Sequence, residues 1–184
     1  MSWRHYSHAV RVKFLLENVK MKKEYLDVIT SFVGVEPVLI NSRIVSFQSR
    51  PRLYWTNMLF QEITPKKTNV NDVIDFNAEL KPISEGKLKR VMFSKFGVGK
   101  LITKQSISCG TLIASYAKQP SDAWYVQRNN GSVTMLTPIE SERLQTLPDN
   151  YTNHVSNTQR YKGIGNGWTV DVIAHILKGM PGLS

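Results

Sequence analysis

Residues 161–168 read YKGIGNGW and lead directly into an apolar helix pattern at residues 169–178. Three glycines within five residues allow the main chain to approach a ligand closely, because no Cβ stands in the way. Behind this turn, apolar residues recur at helical spacing and predict one buried face: Val170, Ile173, Ala174 and Leu177. The same pattern is typical of a plain glycine turn before a packed C-terminal helix, so its meaning depends on the motifs upstream.

The composition excludes several classes of site. The chain has 184 residues and is 41% hydrophobic, which suits one core or one domain with a large insert. Neither a bilayer-spanning apolar run nor a signal-peptide pattern is found, so a cytoplasmic protein with no membrane partner is expected. The single cysteine, Cys109, excludes an intrachain disulfide or a cysteine-rich metal site held by this chain alone, and no metal is predicted.

The positive charge is concentrated in the first two thirds of the chain. The net charge is +10, and residues 131–184 hold four basic and four acidic residues. Residues 81–104 hold seven cations and one acid, interleaved with phenylalanines and glycines. This pattern suits a surface that meets a phosphate backbone, although a merely solvated basic loop has the same composition.

The first 57 residues predict the C-terminal half of an α/β sheet. Residues 12–16 form a short apolar strand, which we expect to be a central strand whose parallel neighbours lie outside this chain. Residues 21–33 predict a helix that ends at Gly34, and three short strands follow at residues 38–40, 44–47 and 53–56. One buried helix face is predicted from its apolar residues: Tyr25, Val28, Ile29 and Phe32.

Two features of this segment carry chemistry. Glu17 and Asn18 follow an apolar strand, where open α/β sheets place their ligand sites, although a surface turn is the alternative. Arg50 and Arg52 are two residues apart, so strand alternation predicts that both lie on one face and clamp an anion or orient a carboxylate. An exposed, charged edge strand is the alternative for this pair.

Residues 58–130 lose periodicity and predict an irregular, mostly β insert with long loops. A helix follows, because Thr137, Pro138 and Glu140 form the pattern of a capping box with proline at the first helical position. This helix runs to about Leu147. Its polar surface offers three side chains to a partner: Glu142, Arg143 and Gln145.

Four motifs, in this order and spacing, resemble the C-terminal half of DNA (cytosine-5) methyltransferases of bacterial and phage type. They are FLLENV at residues 14–19, QSRPRLYW at 48–55, the helix segment 136–149, and RYKGIGNG at 160–167. The resemblance implies a Rossmann-like, S-adenosylmethionine-dependent fold with a target-recognition insert. The predicted division is residues 1–57 for the catalytic sheet, 58–134 for the DNA-binding insert and 135–184 for the closing helices.

The resemblance also implies roles for individual residues. Glu17 resembles the glutamate that holds the flipped cytosine, with Asn18 supporting its loop, and Arg50 and Arg52 look like the arginines that contact the base or order the carboxylate. Asn166 is similar to a position beside S-adenosylmethionine, in a partial cofactor site with Gly165, Gly167 and Trp168. The insert is expected to contact DNA through its cations: Lys87, Lys89, Arg90, Lys95 and Lys100.

The family's Gly-rich cofactor loop and its Pro-Cys nucleophile precede the Glu-Asn-Val motif, and only sixteen residues precede Glu17 here. Cys109 lies in the insert without a preceding proline, and we interpret it as a buried or neutral thiol. Because attack on the base needs a thiolate, we expect this chain to be inactive alone.

Three functions remain open at this point. The leading hypothesis is the C-terminal subunit of a split methyltransferase, completed by a second chain. The alternatives are a catalytically dead relative that binds DNA or a protein, as a decoy or inhibitor between phage and host, and a free-standing nucleic-acid-binding protein. For the first hypothesis we expect association through the N-terminal segment, the strand at 12–16 and the last helix, and not through the insert.

Overall fold

A computed structural model describes residues 12–93 and 100–180 in two compact units. Among the described residues, the first unit comprises 12–41, 51–63 and 173–180, and the second comprises 42–50, 64–93 and 100–172. The chain therefore passes between the units several times. The domain limits at residues 57 and 134, which concern function, stay a prediction.

The first unit contains a three-stranded antiparallel sheet. Its strands are β1 (Leu15–Asn18), β2 (Val38–Asn41) and β4 (Pro51–Thr56), in the order β1-β4-β2. Within the described residues, β1 lies at the edge of this sheet and runs antiparallel to β4. An apolar run predicts burial but not the direction of its neighbour, so this pairing could not be predicted from the sequence pattern. The expectation that parallel neighbours of β1 lie outside this chain stays a prediction.

Helix α1 (Lys23–Val33) follows β1 in the first unit. Gly34 ends it as predicted, with φ +75° and its N–H donating to Thr30 O at 2.8 Å, a backbone conformation that favours glycine. Trp55 Nε1 donates to Thr30 Oγ1 at 3.0 Å and ties the helix to β4. The face that carries its apolar residues is largely exposed: Tyr25 by 58%, Val28 by 54% and Phe32 by 78%.

The segment between β2 and β4 belongs to the second unit and is not the predicted strand at 44–47. Residues Ser42–Ile44 form a 3₁₀ turn, and Gln48–Ser49 form a two-residue strand, β3. This strand pairs in parallel with β6 (Cys109–Gly110). A separate sheet has the order β5-β7-β8, built from Leu101–Ile102, Tyr125–Gln127 and Val133–Thr134.

The insert is irregular, as predicted, but it also contains a helix that the sequence did not predict. Helix α2 (Glu85–Phe93) is rich in charged residues and has one fully buried residue, Val91, so it gives a weak periodic signal. The hydrophobic core of the second unit draws on residues from the insert and from the following helix, among them Val70, Tyr125, Leu136 and Leu144, each fully buried.

Helix α3 (Pro138–Leu144) begins with the predicted capping box. Thr137 Oγ1 accepts from Glu140 N at 3.1 Å, and Glu140 Oε2 accepts from Thr137 N at 2.7 Å. Glu140 also forms a buried ion pair with Arg128 at 2.7 Å. The helix is shorter than predicted, because Gln145 already caps it and Thr146 adopts a φ of +59°.

Two of the three side chains predicted to lie on the polar surface of α3 are buried. Glu142 and Gln145 are fully buried, whereas Arg143 forms an exposed pair with Asp149 at 2.5 Å. The Glu142 carboxylate accepts hydrogen bonds from Asn150 N at 2.7 Å and Arg160 Nη2 at 2.9 Å. It therefore holds the chain after the helix in place, which residue type alone does not reveal.

Helices α4 (Asn157–Asn166) and α5 (Val170–Leu177) close the chain. The predicted glycine turn is wrong over most of its length, because α4 continues through Gly163 and Gly165. Helix α5 begins as predicted, but its buried face is formed by Val172, Ile173 and Ile176. Val170 is 37% exposed and Ala174 is exposed, so only Ile173 of the predicted face is deeply buried. No helix in the described part of the chain is long and apolar enough to cross a membrane.

Candidate functional site

Glu17 and Arg52 form an ion pair on one face of the three-stranded sheet. Arg52 Nε lies 2.8 Å from Glu17 Oε1, and both side chains are only 14% exposed. Glu17 is opposite Tyr54 in the antiparallel register, and alternation puts Arg52 on the same face as Tyr54. The two residues are 35 positions apart in the sequence, and the register of the sheet brings them together. The Arg52 guanidinium thereby orients the Glu17 carboxylate.

Asn18 does not share that face. It lies opposite Leu53, and its Oδ1 accepts a hydrogen bond from Val19 N at 2.8 Å. Such a bond from an Asn side chain to the following backbone turns the chain as it leaves the strand. This contact is compatible with the predicted supporting role, which stays a prediction.

Arg50 lies outside the strand that contains Arg52, so the expected pair of arginines on one strand face is wrong. Its guanidinium is buried in the second unit, where it donates to Leu112 O at 3.2 Å, Gly165 O at 3.2 Å and Gly167 O at 2.9 Å. Strand alternation fails because β4 begins only at Pro51. Two carbonyls at the end of α4, which lack partners within the helix, are satisfied by this cation.

Two buried glutamines extend this network; the sequence pattern predicts no role for Gln48 and indicates a surface position for Gln145. Gln48 Nε2 donates to Gln145 Oε1 at 2.7 Å, and Gln145 Nε2 donates to Ile164 O at 2.8 Å. Thr169 Oγ1 also donates to Gln145 Oε1, at 2.9 Å. The network joins three of the four motifs, and no periodic signal separates a buried amide of this kind from a surface one.

The close main-chain approach predicted for the glycine run occurs against the chain itself. A Cβ added at Gly165 would lie 2.4 Å from Ala114 N, whereas at Gly163 it would meet nothing within 4 Å. Of these two glycines, Gly165 is therefore the one that packing requires. Helix α4 is thus seated directly on the main chain of residues 113–114.

Cys109 is buried in β6, as predicted. Its side chain is 2% exposed, and burial raises the pKa of the thiol to about 12. A thiol with this pKa is protonated at neutral pH and is a poor nucleophile.

The cations of the insert have different surroundings. Lys89 and Arg90 are exposed on α2, and with Phe93 and Ser121 they line an open depression of about 380 Å³. Lys87 donates to Gln119 O and Lys100 donates to Asp122 O at 2.7 Å, so these two amines are tied to one loop. Lys95 lies outside the described residues.

A family model described as C-5 cytosine-specific DNA methylase matches residues 37–181. This chain belongs to that family. Type II methyltransferase M.NlaX of Neisseria lactamica is 27% identical to this chain over 195 residues, covering 91% of this chain and 62% of the relative. Type II methyltransferase M1.ScrFI of Lactococcus lactis subsp. cremoris is 32% identical over 132 residues, covering 66% of this chain and 34% of the relative.

The fold comparison agrees with the family. The solved structure of Entamoeba histolytica methyltransferase EhMeth matches with a TM-score of 0.71 at 17% identity, covering 91% of this methylase chain and 61% of the other. The predicted α/β methyltransferase fold is therefore confirmed. The methylase chain spans less than two thirds of the length of each of these three proteins.

The residues expected beside S-adenosylmethionine divide into two pairs. Asn166 is exposed and Trp168 is 46% exposed, so an amide and an indole are accessible to a bound molecule. Gly165 and Gly167 instead give their carbonyls to Arg50. The exposed pair fits a contact with the polar and aromatic parts of such a cofactor, whereas the glycines shape the end of the helix.

Proposed function

We propose that this methylase-family chain supplies the base-binding carboxylate and the DNA-binding surface of a cytosine-5 methyltransferase, and that a second chain supplies the nucleophilic thiol. The observation that carries the proposal is the Glu17–Arg52 ion pair at 2.8 Å. An extruded base needs buried polar partners for its Watson–Crick edge. A carboxylate fixed by a guanidinium is suited to hold the ring nitrogen of cytosine.

The chemistry of Cys109 supports the need for another nucleophile. Covalent attack on a base requires a thiolate, and the only cysteine of this sequence is buried with a pKa of about 12. At pH 7 the thiolate fraction of such a group is about 10⁻⁵. We therefore expect no methyl transfer by the 184-residue chain alone.

Asn166 and Trp168 are the residues we propose to contact S-adenosylmethionine, which supplies the methyl group when bound. Asn166 offers an amide that donates and accepts hydrogen bonds, and Trp168 offers an aromatic face. Both residues belong to the second unit, so this proposed part of the cofactor site includes no residue of β1, β2 or β4.

The test combines a loss of turnover with retained binding. The purified chain is incubated with DNA and labelled S-adenosylmethionine, alone and with a complementing methyltransferase half that bears the Pro-Cys motif. We expect transfer only in the mixture, and Glu17→Gln is expected to abolish turnover while DNA binding persists. Glu24→Gln, at an exposed position of α1, is the matched control and should leave turnover unchanged. Transfer by the chain alone would overturn the proposal.

A catalytically silent binding protein is the second candidate. The exposed apolar side chains of Tyr25, Val28 and Phe32 favour a protein partner for α1, since such patches mark interaction sites. Failure of any cytosine methyltransferase half to restore transfer, together with intact DNA binding, would favour this function.

A further inference from the structure

We propose that Phe93 stacks on an unpaired nucleobase while Lys89 and Arg90 hold the flanking phosphates. The inference rests on the proposed DNA-binding role of the insert and deepens it. Phe93 is 81% exposed, an unusual position for a large aromatic side chain at the end of a helix that has a buried side.

The three side chains share one face of α2. Lys89 and Phe93 are four residues apart and Arg90 and Phe93 are three apart, and both spacings place side chains next to each other on a helix. Val91, which points away from this group, is fully buried. The packed side of the helix therefore fixes an aromatic ring and two cations toward the same depression, which Ser121 also lines.

The chemistry of this depression identifies its occupant. Two exposed cations and no acid line it among the described residues, which suits a polyanion. An aromatic ring beside such a basic surface is the arrangement that binds nucleobases by stacking, with little dependence on base identity. A nucleotide combines negative charge with a flat apolar face, whereas an apolar protein segment would leave the cations without a counter-charge.

The ring favours an unpaired base over a paired one. In an intact duplex both faces of a base are covered by its neighbours, and inserting a side chain requires unstacking of a step. A bulged base already offers a free face, so stacking on Phe93 adds binding without that cost. Lys87 and Lys100 are bonded to carbonyls of residues 119 and 122, so they brace the loop that carries Ser121.

The test measures binding of the full chain to two fluorescent duplexes that differ by one bulged nucleotide. We expect tighter binding to the bulged duplex, and Phe93→Ala should reduce that preference by about tenfold while the affinity for the paired duplex changes little. Phe93→Trp should keep the preference, and Phe93→Leu should lose it, because leucine retains apolar area without an aromatic face.

The outcomes separate this inference from the proposed function. Equal preference for the bulged duplex in the wild type and in Phe93→Ala, with DNA binding intact, would overturn the stacking role alone. Retention of the preference by Phe93→Leu would also overturn it, in favour of a simple apolar contact. Absence of binding to both duplexes by the wild-type chain would overturn both the inference and the DNA-binding role.

Discussion

Arg50 Nη2 donates a hydrogen bond of 3.2 Å to the carbonyl oxygen of Gly165, so a buried guanidinium closes the C-terminal end of α4. Cations are stabilising at this end of a helix because its last carbonyls carry partial negative charge. Three of the motifs identified in the sequence meet at this point of the second unit. The stability of the unit should therefore depend on residues that resemble catalytic ones.

Replacement of Arg50 tests this dependence. Arg50→Ala removes the donor to the buried carbonyls of Leu112 and Gly165, whereas Gly167 O keeps a hydrogen bond from Gln145 Nε2 at 3.3 Å; it should lower the free energy of unfolding by about 3 kcal/mol. Urea denaturation followed by circular dichroism measures the loss. Arg143→Ala removes an arginine from an exposed ion pair and should cost less than about 1 kcal/mol. Equal effects of the two substitutions would contradict the capping role.

The two glycines inside α4 provide a matched pair. Gly165→Ala places a Cβ 2.4 Å from Ala114 N, and the resulting displacement should cost about 1–3 kcal/mol. Gly163→Ala meets open space and should stabilise the helix by up to about 1 kcal/mol, since alanine loses less backbone entropy than glycine. Thermal unfolding should therefore shift in opposite directions. A shift in the same direction would refute the packing assigned to α4.

The buried carboxylate of Glu142 should make the stability of the fold sensitive to acid. Burial alone would raise the pKa of this carboxyl, but hydrogen bonds from Thr152, Arg160 and Asn150 outweigh it, so the pKa lies below 4.5 in the folded state. Its stabilising contribution is therefore present above pH 4.5 and is lost as the pH falls through the folded value. Glu142→Gln should be less stable at pH 7 and should lose less on acidification. A parallel pH profile for both proteins would argue against this linkage.

The cations of the insert should contribute unequally to DNA binding. Lys89→Gln combined with Arg90→Gln removes two exposed charges and should lower the slope of log affinity against log salt by about two units. Lys87→Gln combined with Lys100→Gln removes the same charge from amines bonded to carbonyls and should change the slope less. Fluorescence anisotropy across a salt series gives both slopes. Equal slopes for the two double variants would mean that only total charge matters.

The exposed ridge of α1 predicts association. Tyr25, Val28 and Phe32 leave apolar area in water, and such surfaces promote contact with another copy or a partner. Phe32→Asp should reduce the mass seen by light scattering at high concentration without loss of fold. Ile173→Asp is the contrasting variant, because Ile173 is only 8% exposed and a buried charge should unfold the first unit. A wild-type monomer at every concentration would contradict self-association.

The sequence predicted correctly those features of the fold that neighbouring residues determine. The capping box at Thr137 and Glu140, the stop at Gly34 and the buried thiol of Cys109 all follow from neighbouring residues or residue type. The glycine run misled because Gly165 is needed by a contact with Ala114, which lies 51 positions earlier in the chain. Glycine suits both a turn, because of its backbone freedom, and a helix packed closely against another main chain, because it has no Cβ.

The faces of α1 and α5 show a second limit. Helix α5 carries apolar residues over more of its circumference than one neighbour can cover, and α1 has no buried residue although its apolar residues share one side. Periodicity therefore detects a helix but does not show which side is buried. The candidate site shows a third limit. The pairing of Glu17 with Arg52 depends on the register between β1 and β4, which no pattern within either strand determines. The family resemblance identified both residues, and the register explains why they meet.

Residues 50–52 pass from one compact unit to the other within a single tripeptide. Arg50 is anchored to the carbonyls of Gly165 and Gly167, and Arg52 is anchored to Glu17, with one proline between them. During evolution, an inserted or deleted residue here would release one of the two anchors, even where the loops on either side tolerate length changes. The spacing across Pro51 therefore has to stay fixed, whereas exposed positions such as Lys89 carry no such constraint.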